Sequence, residues 1–175
     1  MSTGREPTGV AEAVAACSIA RALEVIGDPW TILVLRDAFR GIRRFDELRR
    51  DLGIAKPVLA DRLKRLVDAG VLRREQYNEH PPRYEYRLTP KGRDLSPALV
   101  ALMRWGDAYL SADGPPVVLV HEPCGHELEQ SFVCHTCDQE FTPTDIASRP
   151  GPGSQRRSPP PHPGGNRVRS RRRHA

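Results

Sequence analysis

No apolar run in this 175-residue chain approaches the length of a bilayer span, and no leader pattern of charged, apolar and small residues opens it. A soluble, cytoplasmic protein without a membrane partner is therefore expected. A Gly-rich phosphate loop is also missing, as is any nucleophile and base in a recognisable frame, so no catalytic residues are assigned and an enzyme is not expected. Cysteine is scarce: there are four, three of them clustered among histidines, which suits a metal site in a reducing compartment better than a disulfide scaffold. Lysine is scarcer still, with 24 Arg to three Lys, a ratio that reflects codon bias as much as chemistry. Acidic residues are absent from residue 148 onward, where eight Arg stand among Pro, Gly and Ser. Such a segment cannot build a core, so residues 148–175 are expected to be a disordered basic tail with nonspecific affinity for polyanions or a solubilising role. Residues 1–10, polar and bearing Gly and Pro, are expected to be disordered too.

What is present is concentrated between Arg43 and Leu88. Phe45, Leu48 and Leu52 fall at i, i+3 and i+7, which gives a short helix one buried face. Gly53 interrupts that period. A second helix, from Lys56 to about Ala69, buries Leu59, Leu63, Leu66 and Val67, and Gly70 ends it as a C-terminal cap. Two helices joined by a three-residue turn make a helix-turn-helix. Val71 to Tyr77 and Arg83 to Thr89 read as strands around an Asn78–Pro82 tip, and they add a wing.

Charge separates this module from its surroundings. Residues 40–93 carry 15 Lys and Arg against eight Asp and Glu, a net of +7, whereas residues 1–39 carry −2 and residues 94–148 carry −8. A solvated helical surface is the plain alternative, but the excess is confined to the motif, as expected of a phosphate-binding face. Lys56, Pro57, Asp61, Lys64 and Arg65 lie off the apolar stripe of the second helix, where they would face the major groove of double-stranded DNA. Arg43, Arg44, Arg49 and Arg50 flank the turn and would position the backbone, while His80 and Arg83 on the wing would reach phosphate or minor groove.

The flanks extend the domain to residues 11–112. Ala11 to Ile26 reads as an amphipathic helix containing Cys17, either a small buried hydrophobe or a reactive thiol. Gly27-Asp28-Pro29 ends it, and a nearly all-apolar helix from Trp30 to Phe39 should be the buried centre. From Thr89 to about Ser111 one long helix carries Leu95, Leu99, Leu102, Met103, Trp105, Ala108, Tyr109 and Leu110. That surface exceeds what one small core needs, and it points to a homodimer through the first and last helices. After a linker at 112–116, Val117 to Val120 reads as a short strand opening a zinc-ribbon-like segment, residues 117–147. His121 and Cys124, then Cys134 and Cys137, form two knuckles at ribbon spacing. Four protein ligands would hold a structural zinc rather than a catalytic one. The fold class expected is mainly α with a small β wing (α+β): a winged helix-turn-helix, a small ribbon and a tail.

Several stretches together resemble the HxlR-type bacterial transcriptional regulators: Cys17 to Trp30 (CSIARALEVIGDPW), Ile32 to Arg36, Arg44 to Leu48, Val58 to Leu66, Gly70 to Leu72, Pro82 to Tyr86 and Leu88 to Gly92. The resemblance covers about residues 15–112. It implies a homodimeric winged helix-turn-helix that binds short palindromes, and some members use a Cys placed like Cys17 as a thiol sensor. Ala55 departs from the pattern, since the family usually has Ser or Thr as the cap of the recognition helix, a cap worth about 1 kcal/mol. Position 57, usually polar in the family, is Pro here, which bears on base preference. Cys-bearing extensions like the one here occur in some members outside the shared core. The combined expectation is a dimeric, sequence-specific regulator, a repressor answering a small-molecule or redox signal. The alternative from a different class is a winged-helix protein-interaction module with the ribbon as a docking segment.

Overall fold

The structure, a computed structural model, describes residues 17–152. The expectations for residues 1–10, for the first helix before Cys17 and for the tail beyond residue 152 lie outside them. The chain divides into two compact units, one ending at Ser131 and the other beginning at Phe132, a division that falls within residues 117–147. No helix of the described residues is long and apolar enough to cross a membrane.

In the first unit, helix α1 spans Ser18–Ile26 and α2 spans Pro29–Phe39. Asp28 separates them and caps α2, its carboxylate accepting from the backbone N–H of Trp30 and Thr31 at 3.0 and 3.2 Å. Pro29 occupies the first turn, where its missing N–H costs nothing. Helices α3 (Phe45–Leu52) and α4 (Lys56–Asp68) meet at Gly53, whose φ of 62° makes the sharp turn that most other residues resist. Gly70 ends α4 with φ of 69°, and the N–H of Val71 returns to the Leu66 carbonyl at 2.9 Å, the hydrogen bond of a Schellman motif. Val34 and Leu35 of α2, Leu48 of α3, Leu59, Leu63 and Leu66 of α4, and Ile54, Val71 and Leu72 form one fully buried cluster. The expected stripe residue Val67 is only partly buried at its margin.

The wing is the antiparallel pair β1 (Leu72–Asn78) and β2 (Arg83–Leu88), in register Leu72 opposite Leu88 and Gln76 opposite Tyr84, with a bulge before Asn78. Periodicity did not suggest a third partner. Arg44 bridges to Glu85, and the N–H of Tyr86 donates to the Arg43 carbonyl at 2.8 Å, so residues 43–44 lie along the edge of β2. After the wing, Thr89 donates its N–H to the Val71 carbonyl at 3.1 Å and its hydroxyl to the Gly70 carbonyl at 2.7 Å. Gly92 passes so close that an added Cβ would come within 2.2 Å of the Val71 carbonyl oxygen. The Thr-Pro-Lys-Gly turn thus ties the end of the wing to the end of α4, and Lys91 adds a bond from its ammonium to the Ala69 carbonyl at 2.8 Å.

Two sequence expectations are corrected here. The single helix anticipated from Thr89 to Ser111 is two: α5 (Pro90–Arg93) and α6 (Ser96–Leu110). Pro97 has no N–H to donate and its ring would collide with the carbonyl four residues back, so the helix restarts at Ser96. The strand expected at Val117–Val120 is reduced to one bridge, Val120 to Glu127. Val117 and Val118 are exposed, and β-branching without a neighbouring strand does not make a ladder.

In the second unit, β3 (Val133–Cys134) pairs with β4 (Gln139–Glu140), and a 3₁₀ turn at Pro143–Asp145 follows. Phe132 and Phe141 stack at 5.7 Å beside that pair. So small a hydrophobic nucleus cannot hold a domain by itself.

Candidate nucleic-acid interface

Helix α4 is fixed from behind and open in front. Leu59, Leu63 and Leu66 anchor it, while Lys56, Pro57, Asp61, Lys64 and Arg65 are all exposed. The five residues chosen from the sequence therefore share the outward face of the helix. Their charges are not free, however. Lys64 pairs with Asp68 at 2.5 Å and Arg65 with Asp61 at 3.0 Å, both at helical i,i+4 spacing. Exposed pairs of this kind are worth only about 0.3–0.5 kcal/mol, so a phosphate or a base edge could displace them at little cost. The N-terminus of α4 is weakly capped: Ala55 is extended at φ −65° and ψ 137° and offers no side-chain bond.

Arg62 was not chosen from the sequence, and it holds the element in place. Its side chain is 18% exposed, and its guanidinium donates to Asp28 at 3.0 Å and to Asp61 at 2.7 Å. Asp28 is the residue that caps α2, so a single carboxylate starts one helix and docks the other. The only sequence sign was an Arg on the half-buried flank of the stripe, 34 residues from its partner.

Around the turn, Arg49 and Arg50 are exposed on the last turn of α3. Arg44 lies over the Tyr77 ring of the wing at 4.6 Å, a cation–π contact that restrains it without neutralising it. Arg43 is not brought beside it. Successive residues of an extended segment point to opposite faces, and Arg43 instead lines a cavity with Arg73, Arg87 and Arg93. At the wing tip His80 and Arg83 are exposed, and the Asn78 side-chain amide donates to the carbonyls of His80 and Pro81 at 3.3 and 3.1 Å. Arg74, unremarked in the sequence, stacks on Tyr84 at 3.5 Å.

Another cluster was invisible to motif reasoning. Asp37 on α2 has a fully buried side chain, held by Arg36 at 2.7 Å and Arg40 at 3.3 Å, and both arginines also reach Asp51 of α3 at 3.2 and 3.3 Å. Burial raises the Asp37 carboxyl above its ordinary value of 3.8, while the Arg36 guanidinium opposes that shift. The Oδ2 atom of Asp37 finds no partner among the described residues.

The four proposed zinc ligands sit on two turns built alike. In the first unit the N–H of Cys124 and that of Gly125 both return to the His121 carbonyl, at 3.1 and 2.7 Å, and Gly125 has φ of 72°. His121 Nδ1 lies 3.2 Å from the Cys124 sulfur. In the second unit the N–H groups of Cys137 and Asp138 return to the Cys134 carbonyl at 3.2 and 2.7 Å, and Asp138 has φ of 54°. Backbone N–H groups of Thr136 and Cys137 aimed at the Cys134 sulfur hold its thiol below the usual cysteine value. Each turn thus presents a pair of donors in the manner of a knuckle. Among the described residues, no group of three or more His, Cys, Asp or Glu is gathered as a metal would gather it. Cys17 is exposed at the N-cap of α1 rather than within that helix, and its side chain caps nothing.

A three-helix core presenting an open second helix beside a basic two-stranded wing defines a winged helix-turn-helix DNA-binding protein. Residues 25–114 match the HxlR-like helix-turn-helix family. An uncharacterised HTH-type transcriptional regulator of Mycobacterium bovis is 48% identical over 137 residues, covering 78% of this chain and 87% of that protein. One from Synechocystis is 38% identical over 98 residues, covering 55% of this chain and 73% of its own. The crystal structure of a candidate transcription factor, PA1607, is 39% identical with a TM-score of 0.70, over 77% of this chain and 95% of that one. The redox regulator HypR in its oxidised form is 33% identical with a TM-score of 0.51, over 55% of this chain and all of its own. The chain belongs to the HxlR family. It is a transcriptional regulator and not an enzyme.

Proposed function

We propose that the protein is a homodimeric repressor that reads a palindromic operator through the outward face of α4 and answers a redox or small-molecule signal. The observation that carries this reading is that face itself: Lys56, Pro57, Asp61, Lys64 and Arg65 exposed together on a helix whose back is locked into the core. Arg44, Arg49, Arg50, His80 and Arg83 would hold the phosphate backbone on either side. Arg43 would share that role less readily, because it lines the cavity with Arg73, Arg87 and Arg93. Dimerisation is supported by large apolar side chains left exposed on α1 and α6, among them Ile19, Leu23, Leu102, Trp105, Tyr109 and Leu110. A monomer rarely leaves so many bulky residues in water on two of its helices. Cys17 is the residue best placed to receive a redox signal, being exposed at the start of one of those helices. The similarity to HypR, a redox regulator, supports that assignment. His121, Cys124, Cys134 and Cys137 would bind one structural zinc, on the strength of their spacing and of the two matched turns, and residues 117–147 would be ordered by it.

Footprinting of the full chain on DNA upstream of its own coding sequence tests the reading. Two protected half-sites about one helical turn apart, with binding that weakens steeply with salt, are expected. Equal affinity for that DNA and for random duplex would refute it.

A further inference from the structure

The cavity that takes Arg43 away from the turn has no place in the reading above. It is a half-open hollow of about 300 Å³ between the end of α2 and the base of the wing, lined by Ala38, Phe39 and Gly41, by Tyr86 and Leu88, and by Arg43, Arg73, Arg87 and Arg93. None of these residues belongs to α4 or to the wing tip. We propose that this cavity is a binding site for a small, doubly charged oxyanion, a molecule of the phosphate or dicarboxylate class.

Three observations support the assignment. The first is the charge balance. Four arginines line it, and the carboxylates paired with them among the described residues are Glu75 and Glu85, neither of which lines the cavity. Two positive charges are left over, which an anion of charge −2 would neutralise.

The second is which nitrogens are in use. Arg73 pairs with Glu75 through Nε at 2.6 Å, and Arg87 pairs through Nε with Glu75 at 3.0 Å and Glu85 at 2.6 Å. The terminal nitrogens of both arginines remain for another acceptor. Arg93 gives Nη1 to the Leu88 carbonyl at 3.1 Å, which fixes the side chain and leaves its other donors open. Arg43 has no carboxylate partner among the described residues. Guanidinium groups held through one edge, with the other edge open, are arranged as bidentate recognition of carboxylate or phosphate requires.

The third is size and frame. The volume is at the lower end of small-ligand sites. Gly41, at φ of 86°, has no side chain to fill the mouth. The base of the wing is pinned to α4 through Thr89 and Gly92, so an occupant would sit beside the linkage that sets the wing against the recognition helix.

The test uses the full chain, so that the basic tail is common to every variant, and pyrophosphate as the probe in calorimetric titration without DNA. The wild type is expected to bind one equivalent per chain. The Arg73→Gln/Arg93→Gln double variant should bind at least about tenfold more weakly, because each substitution removes a charge-assisted hydrogen bond and 1.4 kcal/mol is tenfold. Lys64→Gln/Arg65→Gln, which loses the same charge on the other face, should bind as the wild type does. A weakening as large in that control would mean general polyanion attraction and would overturn the proposal, as would undiminished binding by Arg73→Gln/Arg93→Gln. Random duplex DNA supplies the second arm. If the wild type binds no pyrophosphate, or the cavity double variant binds it undiminished, while that variant lowers the salt dependence of duplex binding, the anion is a DNA phosphate and the proposal fails. Circular dichroism of each variant confirms that it is folded.

Discussion

The joint between Asp28 and Arg62 lets the placement of α4 be tested without touching its exposed face. Asp28 has two tasks: it accepts two N–H bonds at the start of α2, and it receives the Arg62 guanidinium from α4. Arg62→Ala removes the charge-assisted contact and leaves the carboxylate still capping. Because the Asp28 side chain is 36% exposed, water can replace part of what is lost. The expected cost is about 2 kcal/mol, below the full range for breaking a buried pair. Asp28→Ala removes the cap, worth about 1 kcal/mol, together with the same contact, for a total of about 3 kcal/mol. The double variant should cost only slightly more than Asp28→Ala, so the coupling between the sites should be about 1.5 kcal/mol. Urea unfolding followed by circular dichroism on the four proteins measures this directly. If the two single costs add to within about 0.5 kcal/mol, Arg62 does not dock α4 through Asp28 and the joint is wrongly described.

Four further outcomes follow from the same geometry. Lys64→Ala/Arg65→Ala should weaken operator binding by about 1–3 kcal/mol per base contact, or lower the salt slope by about one per phosphate contact; unchanged affinity and slope would remove α4 from the interface. Asp37 has its folded carboxyl raised by burial, so the native state takes up a proton before the unfolded chain does and stability rises as pH falls through the raised value toward 3.8. Asp37→Asn should abolish that rise in urea midpoints measured between about pH 7 and pH 4, and an identical profile in both proteins would exclude the buried carboxylate as its source. Diamide should release the wild type from DNA and leave Cys17→Ser bound, and equal responses would make Cys17 a packing residue. In metal analysis of purified protein, His121→Ala should lose zinc and His126→Ala should keep it, while loss by His126→Ala alone would reverse the ligand assignment.

The helix-turn-helix was legible because its signals are local. Leu59, Leu63 and Leu66 repeat at helical spacing, Gly53 and Gly70 mark the two left-handed positions, and each of these is decided within one or two turns of chain. The break before α6 should have been legible for the same reason, since Pro97 is itself a local signal. A strong apolar repeat running from Leu95 to Leu110 masked it. Val117 to Val120 failed differently: composition favoured a strand, but a strand needs a partner along its length, and among the described residues the pairing amounts to one bridge, Val120 to Glu127.

The candidate interface divides along the same line. Which residues of α4 face outward follows from the stripe that faces inward, so Lys56, Pro57, Asp61, Lys64 and Arg65 could be read from the period alone. What holds that face at its angle could not, because Arg62 meets Asp28 across 34 residues and no spacing or period links the two. Charge counting has a related blind spot. It summed 15 basic residues between Arg40 and Arg93 as one patch, whereas the fold turns Arg44 toward Tyr77, sends Arg40 to Asp37 and Asp51, and gathers Arg43 with Arg73, Arg87 and Arg93 around a separate cavity. Adjacent arginines on an extended segment cannot serve one surface, since the pleat sends them apart. Net charge over a window therefore says only that positive charge is concentrated there, and the alternation of the strand and the carboxylates already in place decide which arginines remain open to an anion.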